Sequence, residues 1–231
     1  MKQETYQNGG VSGVTLKWLA MLTMLIDHVA SGFLYDYNFI VPHNLLNLYD
    51  IMRLIGRLAF PIFAFLIVQG YQHTSNLERY LRNLFVFALI SEIPFDLAFN
   101  DQFLYLEHQN IFFTLLAGVV AIASFEHLHK KYNVVTQMLP YFGLALLAEL
   151  FFFDYGFYGV TFIFGLGILR NKKIPQTIFG VLMGLLQNTA SLAFIPIWFY
   201  NGKRGKQNKW FFYLFYPLHI LLIYALRVLL I

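Results

Sequence analysis

Two histidines lie inside long apolar stretches of the chain, where an imidazole has an obvious chemical use. His28 follows Lys17 by eleven residues in the first apolar stretch, and His219 lies in the last one. An imidazole titrates near neutral pH and so suits proton transfer, whereas it is a poor residue for lipid and is not needed here as a counter-ion. The sequence therefore predicts that His28 is a general base and that His219 is the other histidine near the middle of the apolar region.

Charged residues also occur within apolar stretches. Asp27 lies in the first stretch, and Arg53 and Arg57 are four residues apart in the second. Glu92 and Asp96 have the same spacing in the third. A charge at mid-membrane costs about 2.5–3.5 kcal/mol on insertion scales, and residues four apart share one helix face. We predict that the two arginines face the two carboxylates across adjacent helices, either as an ion-pair network that fixes helix register or as part of an active site.

A short loop near the end of the chain combines glycines with basic residues. Gly202 and Gly205 permit close backbone approach, while Lys203 and Arg204 between them supply positive charge for a phosphate. The same composition is also typical of an ordinary cytoplasmic loop of a membrane protein. Both interpretations remain open on the sequence alone.

Metal and nucleic-acid chemistry are not indicated. The sequence has no cysteine, and the run from Glu126 to His129 matches no strong zinc spacing and stands beside Lys130 at a helix end. We therefore expect a solvated interface there and no metal site. No basic stripe accompanies a soluble fold, so no nucleic-acid partner is expected.

The composition indicates how these residues must be held. Of 231 residues, 58% are hydrophobic and only 12% are charged, about half the charge of a usual soluble domain. The 26 phenylalanines and 15 tyrosines suit lipid and the headgroup regions. We predict an all-α, polytopic membrane bundle that forms one domain over residues 1–231, with lipid around it.

The apolar stretches predict about nine short transmembrane helices, within a range of 8–10. Several are shorter than the roughly 20 residues that a straight span needs, so tilted or broken helices are expected. The predicted helices cover residues 14–34, 51–73, 82–99, 110–127, 134–153, 157–169, 175–188, 190–201 and 209–231.

Basic residues predict the topology because they collect at alternate connections between these helices. Positive charge favours the cytoplasmic side, so we predict a cytoplasmic tail over residues 1–13, a multi-pass protein of the cell membrane and an external C-terminus. The uncharged stretch 174–202 must then cross an even number of times, as two short helices broken around residues 187–191 would do. The basic groups are Lys2 with Lys17, Arg79 with Arg82, Lys130 with Lys131, Arg170 with Lys172 and Lys173, and the four from Lys203 to Lys209.

Seven blocks of sequence carry a resemblance to a known family. Together they extend from residue 17 to residue 219, nearly the whole chain, and resemble the TraX family. The blocks are 17–28, 53–66, 69–71, 91–96, 110–114, 200–205 and 215–219.

The resemblance implies an activity. TraX proteins are implied to be membrane acetyltransferases that use acetyl-CoA, and the name-giving member acetylates the N-terminus of conjugative pilin. The family also looks related to the acyltransferase-3 superfamily, in which a basic residue of the first helix precedes a histidine by the spacing that Lys17 and His28 show. The implied acceptor is an exported polypeptide such as a pilin or lipoprotein, with a lipid or a glycan as alternatives.

A mechanism follows from the resemblance and the residues together. Lys17 and His28 are about 16 Å apart along one helix, a length comparable to that of a pantetheine arm. Acetyl-CoA would present its thioester to His28, the general base for the acceptor. The donor would be held by Lys17, Arg53 and the loop residues Gly202, Lys203, Arg204 and Gly205.

The remaining buried charges complete this hypothetical site. Asp27 points about 100° away from His28 on the helix, so Glu92, Asp96 or His219 is the better candidate to orient the base. Arg53 or Arg57, or a helix dipole, would stabilise the oxyanion. The alternative function is a small secondary transporter or flippase, in which the same charges line a substrate path.

Overall fold

The computed structural model describes residues 9–34, 43–129, 131–206 and 208–230. Lys2, Asp36, Lys130 and residues 1–8 of the predicted cytoplasmic tail lie outside the described residues.

All named secondary structure in the described residues is helical, which confirms the predicted all-α class. Two isolated backbone bridges, Val11 with Tyr200 and Gln109 with Phe153, are the only ladder contacts there. The helices are α1 (Gly13–Val29) continued by a π-helical turn (Ala30–Leu34), α2 (His43–Gly56), α3 (Ala59–His73), α4 (Leu77–Asn100), α5 (Ile111–Leu128), α6 (Val134–Leu150), α7 (Gly156–Ile168), α8 (Lys173–Leu185), a 3-10 turn (Asn188–Ala193) with α9 (Phe194–Trp198), and α10 (Lys209–Leu230).

Length and composition fit a membrane bundle. Within the described part of the chain, four segments are long and apolar enough to cross a membrane. Large apolar side chains face outward, such as Leu22 at 58% exposure and Leu146 at 56%, as expected of helices surrounded by lipid. The four segments are Gly13–Leu34, Leu48–His73, Ile111–Leu128 and Trp210–Leu230, and the count of about nine spans stays a prediction.

A break separates α2 from α3 beside the two arginines. Pro61 has no backbone N–H, so it cannot bond the carbonyl of Arg57, and the chain makes a turn at residues 57–58. Just before the break, Gly56 lies so close to Asp27 that any side chain at position 56 would overlap the carboxylate. The predicted single helix 51–73 is therefore two helices, whose junction lies against α1.

Residues 173–198 form a helical hairpin, which we name the α8–α9 hairpin. The Lys173 ammonium is 4.4 Å from the centre of the Trp198 ring, so the hairpin starts and ends at one end of the bundle. The chain reverses at Asn188, whose φ is 56°. The predicted break around residues 187–191 is confirmed. The predicted helix 190–201 is wrong in its extent, because the backbone of Ser191 packs closely on Gly184 and a tight 3-10 turn occupies residues 188–193.

The first and last helices run parallel. Near their starts, the rings of Trp18 and Phe211 are 5.5 Å apart, and near their ends a guanidinium nitrogen of Arg227 is 3.3 Å from the Gly32 carbonyl. The backbone N–H of Val14 donates to the Arg204 carbonyl. The loop of residues 202–205, which we name the glycine-basic loop, therefore lies at the start of α1. The described termini therefore lie at opposite ends of the bundle, although the side that faces the cytoplasm stays a prediction.

The α8–α9 hairpin provides a test of the fold. A methyl group at Gly180 would overlap the ring of Phe194, so Gly180→Ala should lower the apparent Tm in detergent through overpacking worth about 1–3 kcal/mol. Gly143→Ala is the matched control, because no atom lies within 4 Å of the added methyl and alanine is the better helix former. Equal Tm values for the two variants would contradict the packing of this hairpin.

Candidate functional site

The candidate site is a cavity of about 1210 Å³ inside the bundle. Its wall includes residues from Gly13 at the start of α1 to Ser31 in the π-helical turn that continues it, a distance of about 27 Å along the helix. The cavity thus connects the level of the glycine-basic loop with the level of Asp154, at the start of α7. Seven of the predicted site residues line it: Lys17, Asp27, His28, Arg53, Arg57, Gly202 and Arg204.

A chain of hydrogen bonds links the two predicted histidines. His28 Nδ1 is 2.7 Å from His219 Nε2, and His219 Nδ1 is 2.7 Å from the carbonyl oxygen of Phe215. His28 stands on the cavity wall, whereas His219 lies behind it and is only 6% exposed. His219 is therefore the hydrogen-bond partner of His28, and its predicted role in orienting a catalytic base stays a prediction.

The direction of these bonds follows from the carbonyl. A carbonyl oxygen only accepts, so His219 Nδ1 must carry a proton, and in a neutral ring its Nε2 is then an acceptor. His28 Nδ1 consequently donates to His219, and the Nε2 of a neutral His28 keeps its lone pair. A fixed tautomer with a free Nε2 lone pair is what a general base requires.

Asp27 and Arg53 form an ion pair at the inner wall of the cavity. Arg53 Nη1 donates to Asp27 Oδ2 over 2.7 Å. Asp27 Oδ1 is buried and has no hydrogen-bond partner among the described residues, and it faces Gly56. The prediction that Arg53 and Arg57 face Glu92 and Asp96 is wrong, because the partner of Arg53 is supplied by α1 and not by α4.

The two carboxylates of α4 hold backbone segments together instead. Glu92 Oε2 accepts hydrogen bonds from the backbone and side-chain nitrogens of Asn110, the residue that caps α5. Asp96 accepts from the backbone N–H of Tyr105 over 2.8 Å and so fixes the loop before α5. Neither carboxylate lines the cavity. The expectation that Glu92 or Asp96 orients His28 is therefore wrong in this geometry.

The end of the cavity beside residues 202–205 is lined by basic residues. Lys17 lies 5.0 Å from the ring centre of Phe212, and Arg204 and the exposed Arg79 line the same end. Gly202 has a φ of 73°, so the loop turns there in a conformation that favours glycine. Lys203 and Gly205 were predicted to share this site but do not line the cavity. Lys203 points outward while its carbonyl accepts from Gly13.

The opposite end of the cavity contains residues that the sequence did not single out. His108, Asp154 and Tyr155 line it, as does Arg57. His108 and Asp154 lie in two different connections that meet through the backbone bridge of Gln109 with Phe153. Residues in separate loops carry no spacing signal that would have joined them.

The described residues include no group of three or more histidine, cysteine or acidic side chains arranged to hold a metal ion. The expectation of no metal site stays a prediction, since residues outside the described ranges are not covered.

Comparisons with known proteins point to one family. The profile of the TraX protein family matches residues 12–227. A probable fimbrial assembly protein, FimC of serogroup H1 from Dichelobacter nodosus, is 29% identical over 252 aligned positions, covering 96% of this chain and 98% of that protein. No solved structure matches the chain.

The contact between His108 and Asp154 predicts a pH dependence of stability. The Asp154 carboxylate, 3.9 Å away, raises the pKa of His108 above its ordinary 6.5. The stabilisation is therefore complete below pH 6.5 and is lost as the pH rises through the higher, folded-state pKa. The apparent Tm of the wild type should fall between pH 6 and pH 8 more steeply than that of His108→Gln. His127→Gln, at an exposed position on α5, should keep the wild-type slope, and a wild-type slope in His108→Gln would refute the assignment.

Proposed function

Since the chain belongs to the TraX family, we propose that it is a membrane-embedded acetyltransferase. In this proposal, acetyl-CoA binds at the end of the cavity that contains Lys17 and Arg204. The acetyl group passes to an acceptor that approaches from the end containing His108 and Asp154. The protein then lies in the cell membrane with its N-terminus in the cytoplasm, where acetyl-CoA is made available, and with about nine membrane-crossing helices.

The observation that carries this proposal is a cavity lined by cations at one end and by the hydrogen-bonded His28 further along its wall. The distance along α1 from Lys17 to His28 is about 16 Å, so an extended donor with its phosphates at Lys17 brings its thioester to His28. Charge-assisted contacts from Lys17 and Arg204 suit phosphate oxygens. Arg79, which also lines this end, adds a third cation that the sequence analysis did not assign.

The reaction uses the free lone pair of His28. His28 Nε2 removes the proton from the acceptor nitrogen or oxygen as that atom attacks the thioester carbonyl carbon. The tetrahedral intermediate collapses, the carbon–sulfur bond breaks, and the departing thiolate takes the proton from the His28 imidazolium. The positive charge on the ring is stabilised through the hydrogen bonds to His219 and Phe215.

The acceptor is proposed from the relatives. The similar protein from Dichelobacter nodosus is named as a fimbrial assembly protein, so the proposed acceptor is the N-terminal amine of an exported pilin-like or lipoprotein polypeptide. Intact-mass analysis of exported and membrane polypeptides, with and without the gene, tests this directly. The acceptor would be identified as a polypeptide whose mass is lower by about 42 Da, one acetyl group, only when the gene is absent. Unchanged masses would exclude a polypeptide as the acceptor.

His28→Ala tests the chemistry. Loss of a general base costs around 10²–10⁴ in rate, so CoA release from acetyl-CoA with an amine acceptor should fall by that factor. Binding of acetyl-CoA, measured by calorimetry in detergent, should stay within about twofold, because the base acts on the acceptor. His127→Gln is the control for loss of a histidine away from the cavity. Near-normal turnover in His28→Ala would rule out His28 as the base.

Two neighbouring basic residues test the donor site. Arg204→Ala should weaken acetyl-CoA binding more than tenfold, because Arg204 lines the cavity and its contact with a phosphate is charge-assisted. Lys203→Ala removes the same charge from an outward-facing position and should leave the Kd within about twofold. Equal effects of the two substitutions would mean that the loop contributes only its overall charge.

A secondary transporter is the competing function, because a cavity that extends about 27 Å along α1 also suits a substrate path. A transporter releases no CoA from acetyl-CoA, whatever acceptor is supplied. The same CoA-release assay therefore separates the two functions.

A further inference from the structure

The turn before α7 has an unusual backbone. Tyr155 has φ 61° and ψ −1°, and Phe152, three residues earlier, has φ 54°. Large L-residues rarely adopt this left-handed conformation, and such residues collect at functional sites when the surrounding structure holds them there. Glycine follows at position 156 and is also left-handed, with φ 43°.

Several hydrogen bonds hold the turn in this conformation. The N–H of Gly156 donates to the Phe153 carbonyl over 2.7 Å, and the N–H of Asp154 donates to the Gln109 carbonyl over 2.9 Å. On the α7 side, Glu149 accepts from the N–H of Phe157 over 2.9 Å. The backbone around Tyr155 is thus fixed from both directions, and its side chain lines the cavity.

The Tyr155 ring is clamped between α3 and α7. It stacks on Phe60 with 4.1 Å between ring centres and an angle of 11° between the rings. Phe60 and Arg57 both line the cavity, on either side of the start of α3. The stacking on Phe60 fixes the plane of the Tyr155 ring.

The Tyr155 hydroxyl has a hydrogen that it can donate. A phenol hydroxyl donates one hydrogen bond and also accepts, and Tyr155 lines the cavity together with Arg57. Arg53 is paired with Asp27 in the same wall. Tyr155 is therefore an uncharged hydrogen-bond donor on the cavity wall.

From this geometry we infer that Tyr155 is a catalytic residue that donates a hydrogen bond to the thioester oxygen of acetyl-CoA, with its ring held in place by stacking on Phe60. The inference rests on the proposed acetyl transfer. His28 and Tyr155 come from different walls of the cavity, formed by α1 and by the start of α7. In this arrangement the thioester lies between the two residues. The acceptor, deprotonated by His28, attacks the carbonyl carbon from the His28 side, and the carbonyl oxygen faces Tyr155.

The electron and proton movements balance. As the bond from acceptor to carbonyl carbon forms, the carbonyl π electrons move to the oxygen, where the Tyr155 hydrogen bond stabilises the charge without transferring its proton. When the carbon–oxygen double bond re-forms, the carbon–sulfur bond breaks and the thiolate leaves with the proton from His28. Tyr155 ends the cycle unchanged.

Tyr155→Phe tests the inference because it keeps the ring that stacks on Phe60 and removes only the hydroxyl. Loss of one oxyanion donor typically costs about 10²–10³ in kcat. We expect that loss for CoA release with a short peptide that has a free N-terminal amine, with the Kd for acetyl-CoA within about twofold and the apparent Tm unchanged.

Tyr158→Phe is the matched control. The Tyr158 hydroxyl donates to the Met183 carbonyl over 3.0 Å, a contact between α7 and α8, and its ring also lies near Phe60. Its loss should lower the apparent Tm and leave kcat nearly unchanged. Turnover of Tyr155→Phe within threefold of wild type would overturn the inference, as would a loss of kcat matched by a fall in Tm.

A spectroscopic measurement separates this inference from the proposed function. A hydrogen bond to the thioester oxygen lowers the carbonyl stretching frequency of bound, carbon-13-labelled acetyl-CoA, and Tyr155→Phe should reverse that shift. An identical band in wild type and variant overturns the role of Tyr155 even when wild-type turnover is normal. If the wild type releases no CoA, acetyl transfer fails, and the catalytic role of Tyr155 fails with it, whatever the band shows.

Discussion

The carbonyl oxygen of Phe215 sets the chemistry of the candidate site. Because it can only accept, it fixes the proton on one nitrogen of His219, and through that ring it fixes the proton of His28. The lone pair in the cavity is thus determined by a backbone atom two hydrogen bonds away. A single histidine on the cavity wall would sample both tautomers, whereas this arrangement selects one.

The hydrogen bond between His28 and His219 requires that α1 and α10 be accurately aligned. The α1 and α10 helices must run parallel and in register so that the two rings meet with 5.0 Å between their centres. Gly32 and Ala30 keep the end of α1 narrow, since a side chain at position 32 would approach Ile223 and Phe99 within about 3.2 Å. Arg227 then bonds the carbonyls of Gly32 and Ala98. Packing at one end of the pair therefore maintains hydrogen-bond geometry one to two turns away.

Hydropathy predicted where the helices lie because a lipid-facing helix must be apolar over most of its length. The alternation of basic residues correctly indicated that the α8–α9 hairpin returns to its starting end. Which charged residues pair across helices was harder to predict. The spacing of Arg53 and Arg57 matched that of Glu92 and Asp96, yet spacing only shows that residues share a face and not which helix lies opposite. Asp27 was the true partner of Arg53. Tyr155 was invisible for a different reason, because left-handed backbone in a tyrosine comes from the hydrogen bonds around it and not from the residue itself.

The two halves of the histidine pair are separated by 191 residues of chain. A ribosome that adds 5–20 residues per second needs roughly 10–40 s to make that length, so α1 is in the membrane long before α10 exists. During that interval, Asp27 can pair with Arg53 as soon as α2 has been made, whereas the partner of His28 is absent until α10 has been made. The early helices can therefore pack before the histidine pair exists, and His28 gains its hydrogen-bond partner only when the last helix has been made.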